Sequence, residues 1–142
     1  MSKTVILGPF YPWKWWISHH TACLADALIK RWQDIHIVSF SRQYPKILYP
    51  GQTQKENWPN QFSNIPVSYL VDTLNPFTWW STYRFIKKNH YSVFIFKYWH
   101  FYFAPLYIFL SLLLRKGNVK IICIIDNLFS HEGTWLDTIF SK

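Results

Sequence analysis

Four short stretches of this 142-residue chain hold most of its polar and aromatic chemistry. They are Gly8-Pro9-Phe10-Tyr11-Pro12-Trp13-Lys14-Trp15-Trp16, Ser41-Arg42-Gln43-Tyr44-Pro45, Lys97-Tyr98-Trp99-His100 and Asp126-Asn127-Leu128-Phe129-Ser130-His131-Glu132. His131 and Glu132 could act as an acid/base pair, because a histidine titrates near neutrality and a carboxylate can fix its tautomer; the alternative is a solvated pair at a helix start. Asp126 and Asn127 could bind hydroxyls or cap the next turn. Arg42 beside Tyr44 could clamp a phosphate or carboxylate through its planar fork, or anchor its own loop. His19 and His20 are adjacent, so they point in different directions and make a poor metal pair; His19 is a candidate for substrate contact, and no metal site is expected.

These stretches share a position relative to the regular elements. Residues 4–7 form a short apolar run stopped by Gly8-Pro9, a buried strand. From His19 onward, Ala22, Ala25, Leu28, Ile29 and Trp32 recur at helical spacing, with Asp26, Lys30 and Arg31 on the wet side. Residues 35–40 make a second strand, completing a βαβ unit. A proline-rich loop, 41–66, is long enough to suggest a functional or mobile segment. Residues 67–71 then read as a strand, 77–88 as a helix opened by Pro76, 92–96 as a strand, 103–115 as a helix and 120–125 as a strand. Such alternation predicts an α/β, Rossmann-like, mostly parallel sheet with helices on both faces. Open parallel sheets bind ligands beyond the carboxyl ends of their strands, and all four stretches follow a strand. Lys14, Trp15, Trp16 and Trp99 thereby join the candidate binding residues.

Composition bounds the function. The length suits a single domain covering 1–142. Half of the residues are hydrophobic and 15% charged, which excludes a disordered chain. Aromatic residues reach 21%, more than one core of this size hides, so some rings should face a groove, a partner domain or lipid. The formal charge of +8 points to an anionic partner without choosing one, and the scattered basic residues otherwise read as a solvated face. Cys23 and Cys123 lack metal-ligand spacing and read as buried thiols in a reducing compartment. No basic region followed by a long apolar stretch marks the first residues, and the apolar run 101–114 is short of the roughly 18–20 residues of a membrane span. The expected location is cytoplasmic, with the inner face of the membrane as an option.

Read in order, "GPFYPWKWWISHHTACLADAL", "SFSRQYPKILYPGQTQ", "DTLNPFTWW", "YWHFYFAP" and "ICIIDNLFSHE" resemble the amino-terminal domain of bacterial family 4 glycosyltransferases of the two-domain GT-B type. The resemblance covers nearly the whole chain and is most specific in the Ser41–Pro45 loop and in the Asp126–Glu132 segment. It implies transfer of a sugar from a nucleotide diphosphate sugar to an acceptor with retention. The amino-terminal domain mainly faces the acceptor, and a following domain holds the nucleotide sugar. No separate cofactor is implied. A chain truncated before that second domain is expected to bind a sugar acceptor but to be inactive alone, with nucleotide sugar bound only if the second domain is supplied. Where the family has a pair of glycines in the first loop, Trp15 and Trp16 stand; their bulk works against close approach to a diphosphate. Ser130 replaces the family's proline before His131-Glu132.

Two other classes compete. A catalytically dead interaction or membrane-surface-binding domain would use the aromatics of "WKWW" and "YWHFYF", with Lys14 and Lys97 beside them favouring an anionic surface. A single-strand nucleic-acid module needs aromatics on a sheet face among basic residues; here they concentrate in loops and apolar helices, so no nucleic-acid partner is expected. The absence of a P-loop or a Gly-x-Ser-x-Gly elbow argues against nucleotide hydrolysis and serine hydrolase chemistry.

Overall fold

The computed structural model describes residues 2–14, 16–31, 33–45, 47, 54–55 and 61–126. Strands β1 (Lys3–Leu7), β2 (Asp34–Arg42), β3 (Val67–Asp72), β4 (Val93–Tyr98) and β5 (Lys120–Ile125) alternate with helices α1 (Trp16–Ile29), α2 (Pro76–Lys88) and α3 (Ala104–Arg115). All four strand pairings are parallel, in the order β3-β2-β1-β4-β5. The fold is the Rossmann-like α/β arrangement that the alternation predicts.

Strand periodicity divides the core in two. Val5 and Leu7 of β1 and Phe94 of β4 pack with Ile86 of α2 and with Leu106, Tyr107, Leu110 and Leu114 of α3. Ile6, Ile37 and Ile95 pack on the other face with Ala22 and Ala25 of α1. Successive strand residues point to opposite faces, so a central strand covered on both sides must be apolar throughout; Val5, Ile6 and Leu7 are all fully buried.

The helices carry their own start and stop chemistry. Asn75 caps α2 by accepting from Phe77 N at 3.1 Å, Pro76 occupies the first turn, and Lys87 and Lys88 lie at the negative end of the helix dipole. α1 begins at Trp16, ahead of the apolar periodicity that starts near His19.

One described piece of the long loop, Gln54-Lys55, folds back on the first loop. Trp13 bridges Lys55, Lys14 N donates to Gln54 O at 3.0 Å, and Lys55 Nζ lies 5.1 Å from the Trp13 ring centroid. Both cysteines correct the sequence-based expectation of buried thiols: Cys23 is on the outer side of α1 and Cys123 on the edge strand β5, and both are exposed.

Candidate functional site at the carboxyl edge

β1, β2 and β3 build outward in one direction, after which the chain crosses back to place β4 on the opposite side of β1. The switch point therefore lies between β1 and β4, where the connections leave in opposite directions and open a crevice. Gly8 ends β1 there. A Cβ on Gly8 would come within 3.3 Å of Thr21 Oγ1 and 3.4 Å of Lys97 Cγ, so its missing side chain is what allows α1 and Lys97 to close on the strand end.

Lys97 is the focus of this edge. Its parity with Val93 and Ile95 turns it toward the α1 face, and its side chain has no solvent exposure. Asp126 follows β5, with its backbone N–H bonded to Tyr98 O at 2.8 Å. The Asp126 side chain is 4% exposed and its Oδ1 lies 3.0 Å from Lys97 Nζ. His20, reaching in from α1, brings Nδ1 to Lys97 Nζ and to 3.6 Å from Asp126 Oδ1. A protonated amine only donates, so Nδ1 is the acceptor and the ring proton of a neutral His20 sits on Nε2. Burial lowers the Lys97 pKa, and Asp126 opposes that shift by hydrogen bond and charge. Tyr107 braces the strand from the far side, donating to Lys97 O at 2.8 Å; complete burial holds its phenol well above the usual tyrosine value.

Two buried polar atoms near this edge have no hydrogen-bond partner among the described residues: Asp126 Oδ2, and Ser18 Oγ in the first turn of α1. A lone pair left idle at such burial is costly unless a ligand or water uses it.

On the α2/α3 side of the same edge the polar groups satisfy one another. Arg42 makes a two-pronged ion pair with Asp72, which also accepts from Leu74 N at 3.0 Å. Trp99 Nε1 donates to Tyr44 Oη at 3.1 Å, Tyr44 stacks on Tyr102, and Tyr102 Oη meets Thr73 Oγ1 at 3.1 Å. A cavity of about 320 Å³ opens beside this wall, lined mainly by Leu74, Trp79, Phe101, Tyr102, Pro105 and Leu106.

The candidate residues thus fall into separate groups. Asp126 belongs to the buried cluster. Arg42, Tyr44 and Trp99 stand together on the opposite face, with the Arg42 fork engaged by Asp72. His19 is turned away from the cluster, edge-on to Phe62 and 3.5 Å from Cys23 Sγ. Lys14 is half-buried, and Trp16 is 56% exposed at the start of α1. Trp15, Asn127, His131 and Glu132 lie outside the described residues.

Two expectations are corrected. Lys97 is not a surface charge, because its strand parity buries it. Of the described rings in "WKWW" and "YWHFYF", Trp13 is 6% exposed with its indole N–H bonded to Phe40 O, Phe103 is 1% exposed and Trp99 is half-buried, while Trp16 stays exposed. Sequence reasoning chose His19 over its neighbour His20 and missed the burial of Lys97, for which the apolar Val93-x-Ile95-x-Lys97 alternation was the available signal.

Comparison with protein-family models, curated proteins and solved structures finds no match. The site is therefore read from its geometry.

Proposed function

We propose that this chain is the acceptor-side, Rossmann-like domain of a GT-B-type glycosyltransferase. The observation that carries the reading is the buried Lys97–Asp126 pair at the switch point, with Asp126 Oδ2 unused and His20 alongside. A carboxylate oxygen with no partner among the described residues suits a hydroxyl, which can donate to it. Lys97 neutralises the carboxylate, so the pair adds no net charge and favours a neutral polyol over an anion. Sugar acceptors are such ligands. The resemblance of the five segments to family 4 glycosyltransferases supports the same reading. In it, Asp126 and His20 orient the acceptor hydroxyl, Lys97 holds Asp126 in place, and a second domain supplies the nucleotide sugar.

The test is a titration of the purified chain with a panel of mono- and oligosaccharides, and separately with a nucleoside diphosphate, followed by NMR. A saccharide should move the Asp126 and His20 resonances, and Asp126→Asn should weaken its binding roughly tenfold or more. If only the nucleoside diphosphate moves those resonances, the acceptor-side assignment fails.

A further inference from the structure

Between Asp72 and Asp126 the sequence contains no aspartate or glutamate, yet it supplies Arg84, Lys87, Lys88, Lys97, Arg115, Lys116 and Lys120. Of these only Lys97 is buried among the described residues. Because α2 and α3 pack on each other over one face of the sheet, the acid-free stretch becomes one continuous layer. The outward side of α2 reads Phe77, Trp80, Arg84, Lys87 and Lys88; that of α3 reads Pro105, Ile108, Leu112 and Arg115, the spacing of a single helical face in each case. Lys87 Nζ sits against Gly117, which brings the basic ends of the two helices together.

Along the same face the helices also expose large apolar side chains. Phe77 is 85% exposed, Trp80 49%, Ile108 58% and Leu112 60%, with Leu74 at 50% just before α2. The apolar cavity lined by Leu74, Trp79 and Pro105 opens between the two helix starts. One face thus carries exposed rings and aliphatic chains next to a group of cations, and no ion pair joins those cations to a carboxylate among the described residues.

We infer that the outer face of α2 and α3 docks on an anionic lipid surface, with Phe77, Trp80, Ile108 and Leu112 entering the headgroup boundary and Arg84, Lys87, Lys88, Arg115 and Lys116 contacting lipid phosphates. An interfacial helix needs both parts, apolar burial and attraction to anionic headgroups, and this face has both. A polyanion such as nucleic acid would use the cations and leave the aliphatic Ile108 and Leu112 without purpose. Among the described residues no helix is long and apolar enough to cross a bilayer. The inference does not depend on the acceptor-side reading, since the face is made of different residues from the Lys97–Asp126 cluster.

The experiment is cosedimentation of the purified chain with phosphatidylcholine vesicles, with or without about one-third phosphatidylglycerol. Binding is expected to the anionic vesicles and not to the neutral ones. Lys87→Gln, Lys88→Gln and Arg115→Gln should each weaken it roughly fivefold, and Phe77→Ser combined with Ile108→Ser roughly tenfold or more. Lys30→Gln, on the opposite helix layer, should leave it unchanged. Circular dichroism confirms that each variant is folded; the substituted side chains are all exposed. The inference is overturned if Phe77→Ser/Ile108→Ser binds like the parent, if Lys30→Gln weakens binding as much as the α2 changes, or if the chain ignores anionic vesicles while binding a single-stranded oligonucleotide.

Discussion

Lys97 Nζ and Asp126 Oδ1 lie 3.0 Å apart with almost no solvent on either side chain, joining the ends of β4 and β5. Each charge is tolerable only because of the other. Removing one partner leaves an uncompensated buried charge, which costs far more than the pair contributes net.

Lys97→Met is accordingly expected to destabilise the chain by about 3–5 kcal/mol, and Asp126→Leu by a similar amount. The double variant should lose clearly less than the sum, since no charge is then stranded. Urea denaturation of the four proteins measures this. Additive losses would mean that the two groups do not interact as described.

His36 gives a pH dependence. Its Nε2 is 2.9 Å from Ser68 Oγ, and its ring lies against Phe85 and Tyr91. Burial lowers its pKa below 6.5, partly offset by Asp34. The folded state thus prefers the neutral ring: the contribution is fully present above the unfolded value and is lost as pH falls through the lower folded value. Between about pH 7.5 and 5.5 the melting temperature of the parent should fall more than that of His36→Gln. Equal falls would remove His36 as the source.

Asp72 should titrate below the ordinary carboxylate range, chiefly through its hydrogen bond from Arg42 and with help from Leu74 N, against the opposing effect of burial. Its contribution to stability is present above the unfolded value of 3.8 and is lost as pH falls through the depressed folded value. Carboxyl-carbon NMR of Arg42→Gln should show the Asp72 titration moving back up. An unchanged titration would assign the shift to some other group.

Asn75→Ala should cost about 1 kcal/mol, because the Phe77 N–H loses its acceptor at the start of α2. Asn75→Asp should retain the stability. Thermal melts distinguish the two, and an alanine variant as stable as the parent would show that the cap is dispensable.

Cys123 is exposed, yet partial burial, with the charge of Asp126 adding to it, pushes its thiol pKa up. Thiolate is the reacting form, so labelling by a disulfide reagent should be slower at neutral pH than for an unstructured thiol and should keep rising with pH. Mass spectrometry after brief labelling resolves Cys123 from Cys23. Labelling at neutral pH as fast as a thiol in an unstructured peptide would contradict the shift.

The order and type of the regular elements were legible in the sequence because they follow from short-range periodicity. Thr4 to Leu7 and Lys120 to Ile125 are apolar runs of strand length, Asn75-Pro76 marks a helix start, and α3 repeats its apolar residues at helical spacing. Alternation of strands and helices then leaves little choice but a parallel sheet, and with it the carboxyl edge as the place to look; Asp126 was legible on that ground. Which residues meet at the edge was not. His20 faces Lys97 while His19 faces Phe62 because neighbouring helical residues point in directions about 100° apart, and only the docking of α1 selects one of them. Arg42 is engaged by Asp72 across a strand pair, and Lys97 is enclosed by Gly8, Thr21 and Asp126, which lie far from it in the chain. Arg84, Lys87, Lys88, Arg115 and Lys116 share one face for the same reason: α2 and α3 are brought side by side by packing on a common sheet, a relation that depends on strand order and not on any local pattern.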